Sequence, residues 1–202
     1  MNEVIIATKN SGKAKEFIQM FESYGITVKT LIDYPELPDV EETGETFAEN
    51  ALLKAESAAR LTGRPAIADD SGLVIDALDG RPGVYSARYA GIDKDDKANN
   101  RKVLKEMAEV VDDQRSARFK CVLAVSFPDD RESIIVEGDC EGRIAYEESG
   151  TNGFGYDPLF IPEGFDQTMA QLEPNMKNEI SHRAKALRKL QVSLTELDGG
   201  MK

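Results

Sequence analysis

The chain has 202 residues, of which 41% are hydrophobic and 31% charged, and 37 acidic against 25 basic side chains leave a net charge of −12. A chain of this length buries a sizeable core without staples, as one domain of two closely joined lobes, and its composition excludes a disordered or fibrous protein. The acidic excess argues against a nonspecific duplex-binding face, but not against a small anionic substrate. Local cations and a bound metal outweigh a distant field that salt screens over about 10 Å.

Met1-Asn2-Glu3 followed by Val4–Ala7 is too short an apolar run for a secretory signal and lacks its basic flank. No stretch approaches the roughly 20 apolar residues of a membrane span, so a cytoplasmic protein without a membrane partner is expected. Cys121 and Cys140 sit in strand-like patterns with no neighbouring Cys or His cluster, which predicts reduced core residues and no structural zinc.

In chain order, Val4–Thr8 reads as a buried strand that stops at a polar turn, Lys9 to Lys13. A helix follows, with Phe17, Ile18, Phe21 and Tyr24 on one side and Gly25 as its end. Thr27–Leu31 predicts a short strand ahead of Pro35 and Pro38. Thr46 and Glu49 have the spacing of a capping box and open a helix that Gly63 and Pro65 close. Ala66–Ala68 predicts a brief strand running into a compact turn at Asp69–Gly72, after which Leu73–Ile75 resumes an apolar segment before a turn at Gly80–Gly83. Asp93–Val110 reads as a helix with Val103, Leu104 and Met107 inward. Phe119–Phe127 and Ser133–Val136 predict two strands joined across Pro128-Asp129-Asp130, with a further strand at Arg143–Tyr146. Gly150–Asp157 is a glycine-containing loop, and Ile180–Leu197 predicts a closing helix with Ala184, Leu187, Leu190, Val192 and Leu194 among its apolar positions. The alternation is α/β with a strand-rich middle, and no linker or internal repeat divides residues 1–202 into independent domains.

Four polar groups can carry chemistry. Amides of the Thr8-Lys9-Asn10-Ser11-Gly12-Lys13 turn, with the positive end of the next helix and the Lys13 charge, suit phosphate oxygens. The other reading is that Asn10 or Ser11 only caps the helix and Lys13 faces water; the spacing is not that of a Walker A loop. Glu41-Glu42 and Asp69-Asp70 offer the hard oxygens magnesium prefers, with Asp70 and Glu42 fitting best and one member of each pair left as a solvated charge or a cap. In Gly153-Phe154-Gly155-Tyr156-Asp157-Pro158 the aromatic rings could flank a flat base, and Asp157 could accept from the base or place a cation; the alternative is an aromatic loop packed on the core. His182 is the chain's one histidine, which excludes a multi-histidine metal centre and a second-histidine triad. With Lys177 and Arg183 it could donate to a base carbonyl or to phosphates, against the alternative of a structural residue at a helix start.

Together, Thr8-x-Asn10-x-x-Lys13, Glu42-Thr43-Gly44, Phe47-x-Glu49-Asn50-Ala51, Ala68–Gly72, Gly83-x-Tyr85–Tyr89, Gly153–Pro158 and Ser181-His182-Arg183 resemble the inosine/xanthosine triphosphate pyrophosphatase family, and these motifs span almost the whole chain. The resemblance implies an elongated central mixed sheet flanked by helices, two lobes with an active cleft between them, and a homodimer. It implies magnesium-dependent cleavage between the α and β phosphates of inosine, deoxyinosine and xanthosine triphosphates, clearing deaminated precursors, with no nucleic-acid partner. It makes Thr8, Asn10, Ser11, Gly12 and Lys13 the phosphate segment, Glu42 and Asp70 metal ligands with Glu41 as neighbour, and Asp70, Asp69 and Lys13 the catalytic groups. Ser71, Phe154, Gly155, Tyr156, Asp157, Lys177, His182 and Arg183 become nucleotide contacts. Lys9 departs from the glycine of many relatives, so its side chain must face away from the phosphate path or add a cation. The competing expectations are a pyrophosphatase for other modified nucleotides and a non-catalytic nucleotide-binding regulator.

Overall fold

The computed structural model describes residues 3–22, 25–129 and 131–199. Tyr24 of the predicted first helix and Asp130 of the predicted turn, like Met1 and Asn2, lie outside these residues. One six-stranded mixed sheet is flanked by helices. Its strands are β1 (Glu3–Ile6), β2 (Thr27–Thr30), β3 (Ala66–Ile75), β4 (Ser116–Ser126), β5 (Ile134–Ile144) and β6 (Phe160–Pro162), in the order β2-β1-β3-β4-β5-β6. β1 runs parallel to β2 and β3, whereas β6 is antiparallel to β5. The helices are α1 (Ser11–Glu22), α2 (Phe47–Thr62), α3 (Asp96–Glu106), α4 (Pro174–Ile180) and α5 (His182–Gly199). No helix among the described residues is long and apolar enough to cross a membrane.

The chain divides into two compact units, one of residues 1–70, 121–138 and 186–202, the other of 71–120 and 139–185. In the first, α1 buries Ala14, Phe17, Met20 and Phe21, and α2 buries a small-residue face of Ala51, Ala55, Ala58 and Ala59. Ile18, expected inward, is 47% exposed, because the buried stripe of α1 runs through positions 17, 20 and 21 instead. Thr46 accepts from the Glu49 amide and Glu49 reaches back to the Thr46 amide, so the predicted capping box is formed; Gly63 caps the other end. The second unit has a core that includes Leu73, Ile75, Val103, Met107, Phe119, Leu159 and Phe160. Both cysteines are free and buried, and burial pushes the Cys140 thiol up to about 11.

Several boundaries depart from expectation. Asp69–Gly72 is not a turn, since β3 runs unbroken from Ala66 to Ile75 with its acidic residues inside the strand. Ladder hydrogen bonds and buried neighbours outweigh the low strand propensity of Asp and Gly there. β5 extends to Ile144 and absorbs the first half of the predicted Arg143–Tyr146 strand. β6 has only three residues, too few for a periodic signal. The predicted closing helix is α5, which starts at His182 because Ser181 takes extended backbone angles (φ −62°, ψ 154°), and a separate short helix that the sequence did not signal, α4, precedes it. Val192 is 58% exposed.

Candidate active site

In the first unit, β1 delivers the chain into the polar turn. The Thr8 hydroxyl accepts from the Asn10 amide, and Asn10 Oδ1 accepts from the Lys13 amide at 3.0 Å. Asn10 is therefore the side-chain cap of α1. Lys13 N–H and Ala14 N–H are both satisfied by Asn10, and among the described residues the amides of Ser11 and Gly12 have no partner. Two amides at a helix N-terminus are the groups that hold an anionic oxygen. Lys9 turns away from them, donating to the Leu37 carbonyl and pairing with Asp39, each at 2.9 Å.

Alternation along β3 sends Asp69 and Asp70 to opposite sides of the strand. Asp69 pairs with Lys13 at 2.9 Å, and its other oxygen lies 3.9 Å from the Cys121 thiol. On the other side, Lys54 Nζ of α2 lies 2.7 Å from Asp70 Oδ1 and 2.8 Å from Glu42 Oε1. Burial raises the Asp70 carboxyl above the ordinary aspartate range, against the pull of Lys54 and Lys13. Burial also pulls Lys54 down, but Asp70, Glu42 and Asp69 outweigh it, and its pKa is raised overall. Glu41 is exposed and offers only its carbonyl, to Thr43.

Glu42 is held from its C-terminal side. Buried Asn50 of α2 accepts from the Gly44 amide at 2.8 Å and donates to the Gly44 carbonyl, while Glu49 accepts from the Glu45 amide at 2.7 Å. A Cβ on Gly44 would lie 2.7 Å from Glu49 Cβ, so the loop packs directly on the helix start.

The second unit gathers another set. Arg183, 1% exposed, donates from Nη2 to the Ser71 hydroxyl at 3.0 Å. Lys177 and Asp157, both buried, pair at 2.6 Å, and the same Asp157 oxygen accepts from the Phe154 amide at 2.9 Å. The Phe154 ring has Lys177 Nζ at 5.1 Å and the Arg183 guanidinium at 5.8 Å from its centroid, within cation–π range. The Tyr156 ring is buried, and its hydroxyl donates to the Ser86 carbonyl at 2.7 Å. His182 is buried against Phe119 with ring centroids 4.9 Å apart.

Residues 4–193 match the Ham1 family. The chain belongs to the Ham1 family. Among its Ham1 relatives, a dITP/XTP pyrophosphatase of Geobacillus kaustophilus is 56% identical over 99% of this chain and 98% of its own. One from Listeria monocytogenes is 55% identical over 98% and 97%. The solved Ham1 protein of Coxiella burnetii matches with a TM-score of 0.85 at 45% identity, covering 97% of this chain and all of its own; that of Staphylococcus aureus gives 0.84 at 44% over 96% and 98%. The resemblance read from the motifs is thus borne out, together with the mixed α/β sheet of this Ham1 fold.

Lys54 is the site residue that motif reading missed. Within Leu52-Leu53-Lys54-Ala55-Glu56 it looks like an ordinary helix charge. Its one distinguishing signal is position: it falls on the side of α2 shared with Ala51, Ala55 and Ala58, where a solvated lysine would not be expected.

Proposed function

We propose that this chain is a magnesium-dependent pyrophosphatase of non-standard purine nucleoside triphosphates, converting inosine, deoxyinosine and xanthosine triphosphates to the monophosphate and pyrophosphate and so clearing deaminated precursors. The observation that carries this reading is the meeting of Glu42 and Asp70 on one cationic point, Lys54 Nζ, in a chain whose full-length relatives bear the name dITP/XTP pyrophosphatase. The family resemblance further suggests a cytoplasmic homodimer that acts on small molecules and not on nucleic acid.

Two carboxylate oxygens within hydrogen-bond distance of the same positive charge are hard donors already directed at a cation, so Glu42 and Asp70 fit magnesium. With two protein carboxylates as ligands, water and substrate phosphate would complete such an ion's coordination. Bound there, magnesium would lower the pKa of the attacking water and neutralise phosphate charge.

In this mechanism the Ser11 and Gly12 amides and Lys13 hold phosphate oxygens, and Asp69 keeps the Lys13 ammonium in place. Asp70, placed beside Lys54 and Glu42, accepts the proton of a water that attacks the α-phosphorus. The α–β anhydride bond breaks, and pyrophosphate leaves with the electron pair. No covalent intermediate is needed. Phe154 flanks the purine, while His182 and Arg183 supply donors for a 6-oxo group, leaving the 6-amino group of adenine facing donors; an unpaired buried donor costs about 1–3 kcal/mol.

The test is product-resolved hydrolysis of inosine, xanthosine, adenosine, guanosine and one pyrimidine triphosphate, with and without magnesium. Magnesium-dependent pyrophosphate from the inosine or xanthosine nucleotide, with little from the others, is expected. Release mainly from another base would move the substrate class, and binding without turnover would make the protein a nucleotide-binding regulator. Asp70→Asn should cut turnover at least a hundredfold, on the order of the loss of a positioned proton acceptor, while circular dichroism stays unchanged; a folded variant with near-normal turnover would remove Asp70 from the mechanism.

A further inference from the structure

α3 is the least apolar of the helices, and only Val103 of its residues is a buried hydrophobe. Its other buried positions are Asn99 and Asn100, about 2% exposed. A buried amide left without partners is costly, so the bonds that these two make are what place them in the interior. Asn99 accepts from the Ala90 amide at 2.7 Å and donates to the Ala87 carbonyl. Lys102 adds a bond to the Tyr89 carbonyl at 2.7 Å. One side of α3 thereby holds the segment 87–90.

The remaining amide and one acid reach the loop that carries Phe154. Asn100 donates to the Gly155 carbonyl at 3.2 Å, and Asp96, one turn earlier on the same face, accepts from the Gly155 amide at 2.8 Å. Asp96 is not needed as the helix cap, since Asp95 already accepts from the Ala98 amide. Gly155 has a left-handed φ of +61° and open space where a Cβ would lie, so no side chain of its own anchors the loop there. Hydrogen bonds do so instead. The Phe154 amide is held by Asp157 and the following peptide by Asp96, which brackets the two backbone torsions of Phe154.

We propose that α3 is the clamp of the nucleoside loop, with Asp96 and Asn100 as positioning residues that act on the substrate through Phe154. This rests on the reading of Phe154 as a purine contact. The loop is also tied back through the Tyr156 hydroxyl to Ser86, whose own hydroxyl accepts from the Leu73 amide at 2.9 Å. Fixing the loop in advance removes an ordering cost that binding would otherwise carry. Loosening it therefore weakens substrate binding without touching the proton acceptor or the phosphate groups.

Asp96 is exposed, which makes its replacement a clean probe. Asp96→Ala removes the acceptor, whereas Asp96→Asn keeps one. For deoxyinosine triphosphate, Asp96→Ala should raise KM roughly three- to tenfold, the scale of one lost hydrogen bond, with kcat within twofold of wild type. Asp96→Asn should restore KM to within about twofold, the conservative change leaving the bond in place. Amide exchange across residues 152–157, followed by mass spectrometry on the nucleotide-free protein, should speed up in Asp96→Ala and not in Asp96→Asn. Unchanged KM and exchange in Asp96→Ala would overturn the clamp, as would equal impairment by both substitutions or a parallel loss of kcat and Tm. If the wild-type protein fails to hydrolyse deoxyinosine and xanthosine triphosphates, the proposed function fails, and the exchange comparison still decides whether α3 restrains the loop.

Discussion

At the residue scale, what decides a side chain's role is the neighbour it meets. Asp69 and Asp70 are consecutive and chemically identical, yet one secures Lys13 and the other shares Lys54 with Glu42. Pleating alone produces that division. Gly153 shows the same dependence in reverse. Its φ is +76°, and a Cβ there would lie 2.0 Å from Asp157 Oδ2 and 3.0 Å from Lys177 Nζ. Gly153→Ala should therefore both strain the backbone and displace the Asp157 carboxylate from Lys177 and from the Phe154 amide. The expected loss is about 2–4 kcal/mol of stability, combining a left-handed non-glycine residue with a disturbed buried pair. Urea denaturation of the purified variant measures it; a change under 0.5 kcal/mol would mean that the loop accommodates the methyl group.

At the element scale, α2 both scaffolds and aims the Glu42–Asp70 pair proposed to hold magnesium. Lys54 projects from its body, and the residues that follow Glu42 are fastened to its first turn by Asn50, Thr46 and Glu49. A helix start that is also a loop anchor should couple stability to metal use. Thr46→Ala is expected to cost about 1 kcal/mol, the usual value of an N-cap, and to raise the magnesium concentration needed for half-maximal activity. Thr46→Ser keeps the hydroxyl and should behave as wild type in both respects. A magnesium titration of the two variants checks this, and identical titration curves would separate the cap from the Glu42 loop. α2 was readable from the chain because its cap, its helix formers and its terminating glycine agree. β3 was not, because Asp69–Gly72 has the local composition of a turn and only its sheet partners make it a strand.

At the scale of the whole molecule, surface ion pairs add a modest pH dependence. Asp76, which follows β3, accepts from the Ser116 hydroxyl at 2.7 Å and is gripped by Arg118 at 3.0 Å through both oxygens. The Ser116 bond is the first cause holding its pKa below the ordinary aspartate value, with Arg118 adding to it. A depressed carboxyl pKa contributes stability that is present above the unfolded value, near 3.9, and is lost as pH falls through the folded one. The site is partly exposed, so Asp76→Asn should cost no more than about 0.5–1 kcal/mol at pH 7. That difference should shrink below pH 4 as the wild-type carboxyl protonates. Parallel urea denaturations at pH 7 and pH 3 test the sign; a gap that widens in acid would contradict the assignment.

The amino-acid sequence by itself determined the α/β class, the family, the start and end of α2, and the stretches from which both groups of polar residues come. These are properties of local propensity, of hydrophobic period and of motifs contiguous in the chain. Only the tertiary structure decided that Lys54 stands between Glu42 and Asp70, and that Tyr156 supports its loop from within the core. It also decided that Asp96 and Asn100 grip Gly155 from 59 and 55 residues away. Such pairings join residues far apart in the chain, and which of several equally charged or equally polar candidates is chosen depends on burial and direction. Those are set when strands pair and helices pack, after every local preference has already been expressed.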